Sequence, residues 1–478
     1  MTIVRKIAYN TIVSAGARII AVALSLVSIG FITRYLGKEG FGNYSLILAF
    51  LYVFNILADF GLYSLMTREI SRPGADEKKI ASNIFTLRIV ALLIFLGLGV
   101  ILVWFFPYTN QVKLGVVIVS LGYFFLSASQ VLMGVFQKYL RIDKAGLADI
   151  IGRLIQLGLV VIFIRLNLGF FSILWALIIS CFGNFILNWI FTRKHIALTL
   201  AFDFSLWKEI IKVAIPIAAS LVLVLIYFKF DTIFLSLKFI NRSSINPMVD
   251  VGIYNVAYKI LEGLIFFPSM FVGIIMPLLS KFAFSNLDEF KKTFQKTLDV
   301  LIIFIVPLIM GILFLSLPVV VLIGGDQFKV SAPVLQILSF AIGLIFLGNL
   351  FGHSIIALNK QKAGAWIYFS GMIFNVLTNL LFIPRYSYFA AASTTVATEL
   401  LVTVLMMYLI YKTIHYLPRF NIFKPVFAGL IMTVFLYLFR GWNLLLLIGG
   451  GIILYFAVLY LIKGIKKEEL LLLIKKEA

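Results

Sequence analysis

Cysteine and charge are what this chain of 478 residues has little of. Its one cysteine, Cys181, lies in an apolar stretch and excludes an intrachain disulfide and a cysteine-based metal centre. Charged residues make up only 13% against 62% hydrophobic ones, and the mean hydropathy of +1.08 lies outside the range of soluble domains. Acids are scarcer than bases, 20 against 41, for a net charge of +21. In a soluble protein that imbalance would suggest nucleic acid. Here the bases collect in alternate loops, as in Arg68, Arg72, Lys78, Lys79 and Lys281, Lys291, Lys292, Lys296. That is the positive-inside pattern of a polytopic membrane protein, and nucleic acid is not an expected partner. No Gly-x-x-x-x-Gly-Lys-Ser/Thr phosphate loop occurs, so ATP hydrolysis by this chain is not expected. Outward loops are too short for an extramembrane catalytic domain, which argues against a membrane glycosyltransferase or polymerase.

What fills the chain instead is a succession of apolar stretches of spanning length. Taking about 20 residues per crossing, spans 1 to 14 fall near 11–33, 42–66, 82–106, 114–136, 147–166, 170–191, 211–238, 251–279, 298–323, 334–358, 364–383, 389–411, 424–439 and 443–462. The first has full length and carries Arg18, so it reads as a retained helix rather than a cleaved signal peptide. The even count and the loop charges put both termini in the cytoplasm of a cell bounded by this membrane. Short matches recur at corresponding places: Gly42-Asn43-Tyr44 opens span 2 and Gly252-Ile253-Tyr254 opens span 8, while Lys144-Ala145-Gly146 precedes span 5 and Lys362-Ala363-Gly364 precedes span 11. The expected fold is therefore all-α and polytopic. Two six-helix bundles, 1–200 and 201–412, are related by a pseudo-twofold axis along the membrane normal, with an extra helix pair and tail in 413–478. A central cavity between the bundles follows.

Five cations contradict the apolar surroundings: Arg18, Arg88, Arg153, Lys229 and Lys259. Each costs about 3 kcal/mol at mid-membrane, so five unpaired would cost about 15 kcal/mol, the whole stability of an ordinary fold. They must be paired, snorkel, or line water. Arg18 shares a helix face with Ser14 and Ser25, a polar stripe that suits a wet lumen and an anionic group; snorkelling to the cytoplasmic face is the alternative. Lys259 lies deep in span 8 with Asn255 four residues before it and Glu262 three after. It is a second candidate for phosphate or sugar, or else it is neutralised by Glu262 or Asp231. Lys229 is a third. Arg153 has Asp149 four residues earlier, and Arg88 stands at the depth where Asp59 ends span 2, so these four read as structural charge pairs.

The stretch Arg34-Tyr35-Leu36-Gly37-Lys38-Glu39-Gly40-Phe41-Gly42-Asn43-Tyr44, followed by Ala58-Asp59-Phe60-Gly61-Leu62 and Thr67-Arg68-Glu69, resembles polysaccharide repeat-unit flippases. Ala332-Pro333-Val334-Leu335-Gln336-Ile337-Leu338, Ala357-Leu358-Asn359-Lys360, and Asn375 through Pro384 with Ala390-Ala391-Ala392 extend the likeness across spans 1 to 12. These flippases belong to the multidrug/oligosaccharidyl-lipid/polysaccharide exporter superfamily. The resemblance implies a transporter rather than an enzyme, with a polyprenyl-diphosphate-linked oligosaccharide moved from the inner to the outer leaflet of the cytoplasmic membrane. Its partners would be that substrate, the lipid bilayer and other polysaccharide assembly proteins. Related lipid flippases are similar in using a lumenal arginine on the first helix. Spans 13 and 14 depart from the commoner twelve-helix flippases and are similar to the pair in lipid II flippases that helps form a groove for the lipid tail. Two peripheral helices facing lipid are the plainer reading.

Asp231, Asn375, Asn379 and Thr395 together resemble the sodium site of lipid II flippases, with Asn379 where a second aspartate stands. Carboxylate, amide and hydroxyl oxygens suit a hard cation, and the missing charge weakens the case. No cofactor is expected beyond a coupling Na+ or H+, the latter through Glu399 or Glu262. Asn349 and His353, one turn apart, read as a hydrogen-bonding face or a proton relay. Pro216, Pro268 and Pro307 are expected to interrupt spans 7, 8 and 9. The alternatives to the flippase reading are a lipid II flippase and a multidrug or cation antiporter. The positive lumenal candidates favour an anionic substrate.

Overall fold

The computed structural model describes residues 3–464, with side chains for 13–63, 65–215 and 228–464. The side chain of Pro216 and the expected tail beyond 464 lie outside the described residues. Among those described, every regular element is helical: α1 Ile3–Asp59, α2 Leu62–Ile70, α3 Glu77–Leu102, α4 Asn110–Lys138, α5 Ile142–Arg165, α6 Phe170–Arg193, α7 Phe204–Ser236, α8 Pro247–Leu264, α9 Phe266–Ser285, α10 Leu287–Gly324, α11 Ser331–Ala357, α12 Gln361–Ile414, α13 Phe423–Leu438 and α14 Leu444–Leu461, with two short 3-10 turns. Among the described residues, ten helical segments are long and apolar enough to cross a membrane. The protein is a multi-pass membrane protein.

Spans 1 and 2 both lie in α1, which is two helices meeting at a kink in the expected gap 34–41; its 57 residues would stretch about 85 Å if straight, far beyond the roughly 30 Å hydrocarbon layer. The join is Gly37, at φ 68° and ψ −176°, a conformation that glycine adopts without a Cβ penalty. Spans 11 and 12 likewise join into α12 at Ser387, φ 47° and ψ −127°. There a side chain is present in a glycine-like conformation, and its hydroxyl donates to Asp250 Oδ2 at 2.5 Å. Span 8 divides instead. Pro268 lacks the N–H that would reach the Leu264 carbonyl, and the helix stops at Leu264 and restarts at Phe266. Pro307, expected to interrupt span 9, does not do so: α10 runs unbroken past it and past Pro318.

The chain between α6 and α7 is strapped to α3. Backbone N–H groups of Thr199, Ala201 and Asp203 donate to Ser82 Oγ, Thr86 Oγ1 and Asn83 Oδ1 at 3.1, 3.0 and 2.9 Å. Asp203 caps α7 through the Leu206 N–H and pairs with Lys79 at 2.9 Å. Small polar residues on α3 thus satisfy an extended backbone that has no ladder of its own.

Packing divides the chain into two compact units. One contains Met1–Asn255, Ile323–Gly325 and Val376–Ala391; the other contains Val256–Leu322, Asp326–Asn375 and Ala392–Ala478. Within the first, the two glycines of the repeated motif meet each other. A Cβ on Gly42 would lie 1.8 Å from the Met248 carbonyl oxygen, and one on Gly252 would lie 2.1 Å from that of Lys38. The contact is reciprocal, each glycine facing the carbonyl four residues before the other. In the second unit α13 and α14 pack on one another and on α10, where Tyr455 donates to the Ile303 carbonyl at 2.8 Å and a Cβ on Gly429 would meet Met310.

Candidate functional site

The structure places the expected cations in different settings. Arg88 is fully buried, with Nη1 2.8 Å from Asp59 Oδ1, and it donates to Ser127, which in turn donates to Asn55. One charge pair and a neutral relay of hydroxyl and amide join α1, α3 and α4. Such a group is neutralised by protein and sealed from ligand.

Arg18 and Arg153 meet at one carboxylate. Arg18 Nη1, on α1, lies 3.7 Å from Asp149 Oδ2, and Arg153 Nε, on α5, lies 3.6 Å from Asp149 Oδ1. Arg153 also reaches the buried Gln156 at 3.5 Å. The side chains of Arg18, Asp149 and Arg153 are 52, 29 and 33% exposed, so this cluster is open where that of Arg88 is closed. Two guanidiniums converge on this one carboxylate, in a form suited to phosphate oxygens.

Lys229 sits over the ring of Tyr52, 5.3 Å from its centre. Lys259 pairs with Glu262 at 2.6 Å, the first of its two alternative partners. Asn255 is buried, donating to Thr232 Oγ1 at 3.2 Å and to the Val251 carbonyl at 2.9 Å, both structural bonds.

Of the four residues of the ion-coupling set, Asp231 and Asn379 come together. Asn379 donates to Asp231 Oδ1 at 2.6 Å and Tyr254 donates to Oδ2 at 2.9 Å, all three side chains being buried. Asn375 and Thr395 belong to the other unit, where Asn375 donates to Thr398 Oγ1 at 3.4 Å and Thr395 is buried. Asn349 accepts from Ser269 at 2.9 Å and donates to the Ile345 carbonyl, while His353 bonds the Asn349 carbonyl at 2.8 Å. These are local bonds of a polar helix face. Among the described residues, no cluster of three or more His, Cys, Asp or Glu is placed to hold a metal.

Sequence reasoning missed Tyr254, Ser127, Asn55 and Gln156. Tyr254 had a signal: it closes the Gly252-Ile253-Tyr254 motif, which reads as a repeat marker rather than as a donor. The others are ordinary polar residues in apolar helices, and only tertiary packing gives them partners.

The profile of a family described as polysaccharide biosynthesis protein matches residues 7–283. The chain belongs to that family. The match takes in Arg18, Arg88, Asp149, Arg153, Asp231 and Lys259 and ends before Asn375, Asn379 and Thr395. Two curated relatives are similar to this chain over most of their length. The capsular polysaccharide biosynthesis protein CapF of Staphylococcus aureus is 25% identical over 339 residues, covering 70% of this chain and 81% of CapF. The probable low-salt glycan biosynthesis flippase Agl15 of Haloferax volcanii is 22% identical over 409 residues, covering 84 and 82%. Among solved structures, the lipid II flippase MurJ in an inward closed conformation superposes with a TM-score of 0.76 at 15% identity, over 94% of this chain and 98% of MurJ. An inward-facing multidrug resistance transporter of the MATE family superposes at 0.64, with 14% identity, over 90 and 99%. The chain shares its fold with these solved structures.

Proposed function

We propose that the protein is a flippase for a polyprenyl-diphosphate-linked oligosaccharide, working in the cytoplasmic membrane with both termini in the cytoplasm. The observation that carries this reading is the likeness to Agl15, named a glycan biosynthesis flippase, over 84% of the chain. The open cationic cluster of Arg18, Asp149 and Arg153 supports it chemically. A diphosphate cannot cross hydrocarbon bare, because burying an unpaired charge there costs far more than thermal energy supplies. Guanidiniums that donate hydrogen bonds to its oxygens replace lost water, while the polyprenyl tail stays in lipid. Alternating access by the halves 1–200 and 201–412 would carry the headgroup from inner to outer leaflet.

Coupling falls to Asp231 in this reading. Its carboxylate supplies two hard oxygens and one negative charge, held in place by bonds from the Asn379 amide and the Tyr254 hydroxyl, which fits a single Na+ or H+ better than a divalent ion. The reading as a lipid II flippase is kept because of the TM-score of 0.76 with MurJ.

The test is reconstitution in proteoliposomes with a fluorescent polyprenyl-diphosphate oligosaccharide, read by accessibility of the sugar to an external glycosidase. The reading expects movement that is lost in Arg18→Ala. Transport of lipid II with no movement of the oligosaccharide lipid would favour the second reading. Export of a cationic dye, with neither lipid moved, would overturn both.

A further inference from the structure

We infer that Asp149 is a built-in competitor for the anionic headgroup, and that Arg153 is its second ligand beside Arg18. In the resting protein the carboxylate stands between the two guanidiniums as a loose counter-ion, and an entering diphosphate takes its place. The inference rests on the flippase reading above and concerns the working of its site.

Geometry separates this cluster from an ordinary ion pair. Charge-assisted bonds between guanidinium and carboxylate run at about 2.7–2.9 Å, as Arg88 and Asp59 do at 2.8 Å. The contacts of Asp149 with Arg18 and Arg153 are 3.7 and 3.6 Å, beyond hydrogen-bond range. One carboxylate is divided between two helices, each oxygen turned to a different guanidinium. A diphosphate has more oxygens and more charge than a carboxylate, so it can engage both arginines bidentately where Asp149 bonds neither. One turn before Arg18, the Ser14 hydroxyl is buried without a hydrogen-bond partner, a further group able to donate on that face of α1. The three charged side chains are open enough for a ligand to reach them.

The arrangement answers a need of transport. Two bare guanidiniums in apolar helices would repel each other, and would hold a headgroup too tightly to release it. An internal anion neutralises half of that charge when the site is empty, and its return helps to displace the departing headgroup. Asp149 would then set affinity rather than merely brace α1 against α5.

The test uses the purified full chain in detergent with two probes, farnesyl diphosphate and inorganic diphosphate, at low salt. Melting temperature is recorded for every variant. Asp149→Asn should bind farnesyl diphosphate about tenfold tighter, since the competing charge is gone. Asp149→Glu, whose longer side chain can close both gaps, should bind it several-fold weaker. This second variant keeps the sign testable if the first folds poorly. Arg153→Ala should weaken binding at least tenfold, and Arg18→Ala should do the same. Inorganic diphosphate should follow the same order if the headgroup alone is recognised. A purely structural role predicts that Asp149→Asn and Arg153→Ala lower the melting temperature and leave the affinity of the folded fraction unchanged; that result overturns the inference. If the unmodified protein and Arg18→Ala differ as expected but the two Asp149 variants do not move in opposite directions, only the competitor role falls. If the unmodified protein binds neither probe, the headgroup site of the flippase reading falls with it.

Discussion

Adding one methyl group at Gly42 should change which conformation the protein prefers. The new Cβ would lie 1.8 Å from the carbonyl oxygen of Met248 and 2.7 Å from its carbon. Restoring ordinary contact at about 3.4 Å requires the two backbones to part by about 1.6 Å. Backbone cannot turn aside as a flexible side chain can. The strain therefore belongs at the upper end of the overpacking range, about 3 kcal/mol, or roughly a hundredfold in an equilibrium between this state and one with the crossing parted. In the proposed orientation, with the amino terminus in the cytoplasm, the crossing would lie at the outer face, so Gly42→Ala should populate an outward-open state. A reporter is at hand in Ser45→Cys, because Ser45 is buried beside the crossing and the native Cys181 is buried too. In intact cells, an impermeant maleimide should label Gly42→Ala/Ser45→Cys many times faster than Ser45→Cys alone. Gly252→Ala should have the same effect, and the two together less than the sum, since either one relieves the other. Equal labelling rates, with melting temperature and transport unchanged, would refute the reasoning.

Three further outcomes are expected. Asp59→Ala leaves the fully buried Arg88 without its carboxylate and should cost about 3–5 kcal/mol, seen as a large fall in melting temperature in detergent, with no specific change in probe affinity. Asp231→Asn keeps a side chain able to bond Tyr254 and Asn379 but removes the charge, so transport in vesicles should lose its dependence on the sodium or proton gradient while remaining folded; dependence retained in full would remove Asp231 from coupling. Asp203, outside the spans, has its carboxyl held below the usual range, first by the bond from Lys79 and then by the Leu206 N–H. A depressed value contributes stability above the unfolded-state pKa that is lost as pH falls through the folded one. The stability difference between the protein and Asp203→Asn should therefore shrink on acidification below about pH 4, measured by melting across pH; a difference that grows there would contradict it.

Apolar length made the helices legible, and charge depth made one pairing legible: Arg88 with Asp59 follows from counting residues inward from span ends. Arg153 with Asp149 follows from helical spacing alone. The stripe of Ser14, Arg18 and Ser25 is visible in the sequence, whereas the approach of Arg18 to Asp149 depends on α1 lying against α5, which no local pattern encodes. The breaks at Gly37 and Ser387 fall in the short gaps, 34–41 and 384–388, that the sequence leaves between spans 1 and 2 and between spans 11 and 12, so these boundaries were legible as well; what no local pattern marks is that the residue with positive φ at position 387 is a serine. Pro268 and Pro307 look alike in sequence, but one helix breaks and the other continues, because the outcome depends on whether neighbouring packing holds the helix together across the missing bond.

The strap across α3 carries a consequence for how the protein moves. Residues 199–203 are tied down by three side chains and an ion pair, so the covalent bridge to α7 has no slack and cannot serve as a swivel. Any rocking of the chain that follows must be taken up beyond Asp203, with α3 as a fixed mast. Lengthening the bridge before Thr199 should then be tolerated like an insertion in an idle loop, whereas loosening Ser82, Asn83 and Thr86 would set the mast itself adrift.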